Sequence, residues 1–175
     1  KNRKSIGLIY CDLIGLKRIN DNLGHSNGDR LIMQAAQILC DLFSSKNVYR
    51  LGGDEFLVVC QDISKKQLKA QISRLRDRVA EENCALSIGY TWSDSIDMDF
   101  SQLLTSADDS MYRDKLAYYQ SHQEHEQHYA PIQSTAFQSF LQNYYFDAET
   151  FFHSIAMPET PFYLFCGDVL RNVYY

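Results

Sequence analysis

The chain has 175 residues, 45% of them hydrophobic and 22% charged, with a formal net charge of -5. That balance fits one globular domain of ordinary size with a real core and room for a fragment of a second. It contains no apolar run near the roughly 20 residues a membrane helix needs, no leader with a cleavage-site pattern, and no basic patch suited to duplex nucleic acid.

The five cysteines (Cys11, Cys40, Cys60, Cys84, Cys166) are scattered and form no CxxC pair. This argues against a disulfide framework or a zinc site and fits buried thiols in a reducing, cytoplasmic setting. The charge is uneven. Residues 1–120 hold 16 basic and 16 acidic side chains, so the imbalance lies in residues 121–175, where six acids face the single Arg171.

In chain order, "IGLIYC" (Ile6 to Cys11) reads as a buried strand that delivers Asp12 to a loop. In "SNGDRLIMQAAQILCDLF", Leu31, Ala35, Ile38 and Leu42 make a helical stripe. Val48 to Leu51 and Phe56 to Val59 read as a hairpin around Gly52 and Gly53. A second helix follows, N-capped by Ser64, with Leu68, Ile72, Leu75 and Val79 on its apolar face. "ALSIGYTW" alternates as a strand. "SQLLTSADDSMYRDKLAYY" closes the series as a helix, with Ser101 as the expected cap and Leu104, Ala107 and Met111 on its stripe. A hairpin inside a strand–helix alternation predicts an α+β fold: a mixed or antiparallel central sheet flanked by helices, ferredoxin-like or nucleotide-cyclase-like. No GxGxxG supports a doubly wound dinucleotide fold.

Beyond residue 120 the composition changes, with all three prolines and 13 of the 23 aromatics. The expected organisation is a domain over 1–120, a linker or helical extension over 121–160, and the truncated start of a following domain over 161–175. His122, His125 and His128 spread over too wide a helical arc to form a metal site.

Asp54 and Glu55 follow the paired glycines directly, and Asp12 ends the neighbouring strand. Three carboxylates at adjacent strand ends repel one another unless a cation neutralises them. A hard divalent ion bound through carboxylates and substrate phosphates answers that need. Glycines beside the acids let backbone approach a phosphate closely. The alternative reading is a surface hairpin with solvated acids.

"CDLIGLKRINDNLGHSNGDRLI" (Cys11 to Ile32), "RLGGDEF" and "ADDSMYRDK" together resemble the GGDEF family, the diguanylate cyclases of bacterial signalling. The resemblance spans residues 6–118. It implies a homodimer in which each subunit binds one GTP and the two are joined into cyclic di-GMP with release of pyrophosphate. By position it implies Mg2+ (or Mn2+) held by Asp12, Asp54 and the Leu13 carbonyl, with Glu55 assisting the metal or taking the proton from the attacking hydroxyl. Asn20 and Asp29 would bind guanine, and His25 would lie in the nucleotide-binding loop. Gly15 and Leu16 would offer peptide N–H groups to phosphates, with Gly52 and Gly53 close to the substrate. Lys17 and Lys115 would supply positive charge. A neighbouring sensor domain is expected in a longer chain, and 161–175 faintly resemble the first hairpin of a PAS-type sensor.

The chain departs from the family pattern in three places. Ile14 replaces an acid or amide near the metal. Tyr119 stands where a phosphate-binding arginine is usual, and the family's last strand has no counterpart; losing such an arginine costs about 1.5–3 kcal/mol of binding. Phe43 and Lys46 replace the Arg and Asp of the family's product-inhibition site. These departures leave open a degenerate module that binds GTP or a partner and regulates a neighbouring domain.

Overall fold

The computed structural model describes residues 5–94 and 99–122. The expected linker from 123 onward, the start of a following domain, and His125 and His128 lie outside the described residues.

Four strands form one sheet: β1 (Ile6–Leu13), β2 (Val48–Gly52), β3 (Glu55–Gln61) and β4 (Leu86–Ser93). Their order is β2-β3-β1-β4 and every pairing is antiparallel, that of β2 with β3 being the hairpin. The four helices are α1 (Leu16–Leu23), α2 (His25–Phe43), α3 (Lys65–Glu81) and α4 (Phe100–Ser121). β1 outruns its expected end by two residues, so Asp12 belongs to the strand itself. α1 is a helix in its own right between β1 and α2, entered and left through Gly15 and Gly24, both at φ 82°. Gly24 also has ψ 160°, which is not a left-handed helical cap.

β1 is buried on both sides because helices cover both faces of the sheet. On one face Ile9, Cys11, Leu13, Phe56, Val58 and Ile88 pack with Ile32, Ile38 and Leu39 of α2 and Leu68, Ile72 and Leu75 of α3. The α3 stripe is buried as its spacing predicts, whereas α2 turns Ile32, Leu39 and Phe43 inward and leaves Leu31 and Leu42 half-buried. The opposite face carries α4, which presses Ala107 and Met111 so closely onto Gly89 that a Cβ there would overlap their backbone. Glycine at 89 is therefore a packing requirement.

Ser64 caps α3 through a reciprocal capping box with Gln67. The cap of α4 is Asp99 and not Ser101: the Asp99 carboxylate accepts from the Ser101 N–H, and the helix starts at Phe100. Cys11, Cys60 and Cys84 are buried and Cys40 is half-buried, all as free thiols. Burial pushes Cys60 and Cys84 up to about 11, which leaves them as inert packing groups at neutral pH. No helix among the described residues is long and apolar enough to cross a membrane.

Candidate active site

Strand register assembles the centre of the site. Asp12 on β1 stands directly opposite Glu55 on β3, so the two side chains share one face of the sheet. Tyr10, two residues before Asp12, lies on the same face, and its hydroxyl donates to Glu55 Oε1 at 3.2 Å. The hairpin turn, Gly53 and Asp54, folds over the end of β1, where the Leu13 N–H donates to the Asp54 carbonyl at 3.0 Å. Arg50 braces this turn: its Nε and Nη2 donate to the Gly53 carbonyl at 3.0 and 2.7 Å. Gly53 has φ 50°, a conformation that favours glycine.

α4 contributes the positive charge. Lys115 Nζ sits 2.9 Å from Asp12 Oδ1, with both side chains largely buried, at 13% and 7% exposure. Burial pulls the Lys115 ammonium down, but the charge and hydrogen bond of Asp12 outweigh it and the net shift is upward. Burial, followed by the charge of Asp12, pushes Glu55 up to about 7, against the opposing Tyr10 hydrogen bond and with a further push from Asp54 and Asp108. Asp108, two turns before Lys115, is buried and its Oδ1 has no hydrogen-bond partner. Burial, then Asp109 and Asp12, raise Asp108 to about 6.

The remaining candidates lie on α1 and the first turns of α2. Gly15 and Leu16 start α1. Asn20 packs on Gly28 of α2 so tightly that a Cβ at Gly28 would overlap Asn20 Oδ1, a buried oxygen with no hydrogen-bond partner. Lys17, His25 and Asp29 are exposed, and His25 is the first residue of α2 rather than part of a loop. Among the described residues no hydrogen bond or ion pair joins these three to the carboxylates. Ile14 is buried, Tyr119 is half-buried one turn beyond Lys115, and Phe43 faces the core.

Among the described residues no three Asp, Glu, His or Cys side chains stand in a ready-made metal cluster. The donor set nevertheless suits a hard divalent cation, being carboxylate oxygens at neighbouring strand ends.

Sequence reading missed Tyr10 and Asp108, for which the signal was periodicity: Tyr10 at i-2 from Asp12 on a strand, and Asp108 at i-7 from Lys115 on a helix.

The family model for the GGDEF domain of diguanylate cyclases matches residues 1–120. The chain belongs to this family. It is 32% identical to the cyclic di-GMP phosphodiesterase PdeR of Escherichia coli strain K12, over 65% of this chain and 19% of that protein. It is 34% identical to the diguanylate cyclase DgcP of the same strain, over 63% and 35% respectively. The chain thus spans between about a fifth and a third of the length of these curated relatives. Among solved structures, the active GGEEF domain of a Vibrio cholerae diguanylate cyclase superposes with TM-score 0.57 at 25% identity, over 66% of this chain and 79% of that one. The GGDEF domain of DgcB from Caulobacter crescentus, solved with c-di-GMP, superposes with TM-score 0.59 over 65% and 74%. At 20% identity that likeness shows the fold alone.

Proposed function

We propose that this domain is a diguanylate cyclase, joining two GTP into cyclic di-GMP and pyrophosphate across a homodimer. The observation that carries this reading is the pairing of Asp12 with Glu55 at the mouth of the glycine hairpin, with Lys115 above them. Charge of both signs is held there at low exposure, on the scaffold of a family of nucleotide cyclases.

Mg2+ would be held by Asp12, Asp54 and the Leu13 carbonyl, assisted by Glu55, and would neutralise charge on the triphosphate and polarise the α-phosphate. The chain's own groups supply the rest. Lys115 pairs with Asp12 in the structure described and, with a nucleotide bound, would turn its ammonium to the phosphates. Lys17, exposed on α1, adds a second cation. The N–H groups at Gly15 and Leu16, where the backbone turns left-handed into α1, are suited to phosphate oxygens, and Gly52 and Gly53 leave room beside them. The unpartnered Oδ1 of Asn20 suits a guanine N–H, with Asp29 as a second acceptor and His25 at the rim.

In the reaction the 3'-hydroxyl of each GTP attacks the α-phosphate of the other. Two ribose O–P bonds form, two pyrophosphates leave, and each hydroxyl proton passes to the Glu55 of one subunit. Two subunits must face each other, because each supplies one GTP.

A second reading has specific support. Lys115 occupies Asp12, Ile14 places a buried apolar side chain where the family carries an acid or amide, and some relatives are named phosphodiesterases. A module that binds GTP and regulates an adjoining domain without turnover fits these facts. The deciding experiment incubates the 175-residue chain with GTP and Mg2+, with chromatography for cyclic di-GMP and Glu55→Gln as control. Product that vanishes in the variant establishes the cyclase. GTP binding without product means a regulatory module or a fragment that lacks its dimerisation arm.

A further inference from the structure

Among the described residues β4 is an edge strand, and edge strands expose peptide groups that invite a foreign strand. At Ile88 this edge is closed by side chains. The Ile88 N–H donates to Asp114 Oδ2 at 2.8 Å, and Arg76 Nη2 donates to the Ile88 carbonyl at 3.2 Å. The two side chains also join each other through a two-pronged ion pair, Arg76 Nη2 to Asp114 Oδ1 at 2.7 Å and Nη1 to Oδ2 at 3.2 Å. In an antiparallel strand both peptide groups of one residue point to the same side. Arg76 and Asp114 together therefore satisfy the outward pair of Ile88 as a neighbouring strand would.

The two residues come from opposite sides of the sheet. α3, which carries Arg76, lies over the face where Leu68 meets Gly7. α4, which carries Asp114, lies over the face where Ala107 and Met111 meet Gly89. The ion pair thus reaches round the strand edge and ties one helical layer to the other. Asp114 is followed directly by Lys115, and successive residues on a helix are turned by about 100°. With Asp114 fixed at the edge, Lys115 is turned inward over β1, onto Asp12. The contact at Gly89 sets how close α4 lies; the clamp at Ile88 sets how its C-terminal half is rotated.

We propose that Arg76 and Asp114 are positioning residues for Lys115, holding its ammonium at Asp12 by clamping α4 to the outer edge of β4. Their effect on nucleotide binding rests on the cyclase reading; their effect on the Asp12–Lys115 pair does not.

The test is a double-mutant cycle on the 175-residue chain. Urea unfolding measures the coupling between Asp12 and Lys115 with Asp12→Asn, Lys115→Met and the double variant, first in the parent and then with Asp114→Ala. Loss of the clamp is expected to reduce the coupling to roughly half or less. Unchanged coupling, with only a general fall in stability, overturns the proposal. Should Asp114→Ala fail to fold, Arg76→Lys keeps the charge but loses the fork and carries the same test. A second arm titrates GTP with Mg2+. Clamp loss should weaken binding about tenfold in the parent and add nothing in the Lys115→Met background. Equal losses in both backgrounds overturn the positioning role. A parent chain that binds no GTP sinks the cyclase reading and leaves the coupling to decide the clamp.

Discussion

Asp12 and Glu55 face each other across two paired strands, and Lys115 Nζ stands 2.9 Å from Asp12 Oδ1 in an ion pair. Glu55 rises from 4.5 to about 7, through burial first and the charge of Asp12 second.

This shift fixes the sign of a pH effect. The folded chain holds a proton on Glu55 where the unfolded chain has lost it, so stability declines as pH rises from about 4.5 to about 7 and levels off above. Asp108, raised from 3.8 to about 6, contributes in the same direction at lower pH. Urea unfolding of the metal-free chain across this range should show the decline, and Glu55→Gln should remove its upper part. An unchanged profile in the variant would show that another group titrates there.

Tyr10 opposes the shift by donating to Glu55 Oε1. Tyr10→Phe removes a hydrogen bond that favours the charged carboxylate. The Glu55 midpoint, followed by carbon-detected NMR of its side chain, should move higher still. If the domain makes cyclic di-GMP with Glu55 as base, the rising limb of its pH–rate profile should move the same way.

The sequence shows the strands and the carboxylates, because period-two and helical spacing are local signals and because Gly-Gly-Asp-Glu has few structural reasons to occur. Register is different. That Asp12 pairs with Glu55, and not with a neighbour, is set by the unbroken antiparallel ladder between β1 and β3, which joins strands more than 40 residues apart. The clamp at Ile88 joins residues 12 and 26 positions from that strand residue, from two helices on opposite sheet faces. No periodicity within either helix encodes that meeting. Asp99 was missed as a cap for a simpler reason: Asp and Ser both favour that position, and only the backbone decides between them.

Gly28→Ala tests the seat of Asn20. In an ordinary helix this change stabilises by up to about 1 kcal/mol. Here the new methyl would fall on the Asn20 side chain. The expected outcome is the opposite sign, a loss of about 1–3 kcal/mol by urea unfolding, as overpacking gives. Weaker GTP binding than in the parent should accompany it if Asn20 holds guanine. A stabilised variant would show that Asn20 moves aside at little cost.

Lys115→Met tests the buried ion pair directly. The methionine keeps the apolar stem of the side chain and removes the ammonium facing Asp12. Removing one partner of a buried pair costs about 3–5 kcal/mol, because the remaining charge stays desolvated. The urea midpoint should fall accordingly at neutral pH, and adding Asp12→Asn should recover part of the loss. Divalent cations should then separate two roles of Lys115. With the ammonium gone, a cation at Asp12 no longer has a competitor, so Mg2+ or Mn2+ alone should stabilise Lys115→Met more than it stabilises the parent. GTP binding in the presence of Mg2+ should nevertheless weaken, since the phosphates lose their positive partner. A variant that gains metal affinity and loses nucleotide affinity would show that one lysine serves both as stand-in cation and as phosphate ligand. Loss of both would mean that Lys115 chiefly holds α4 against the sheet.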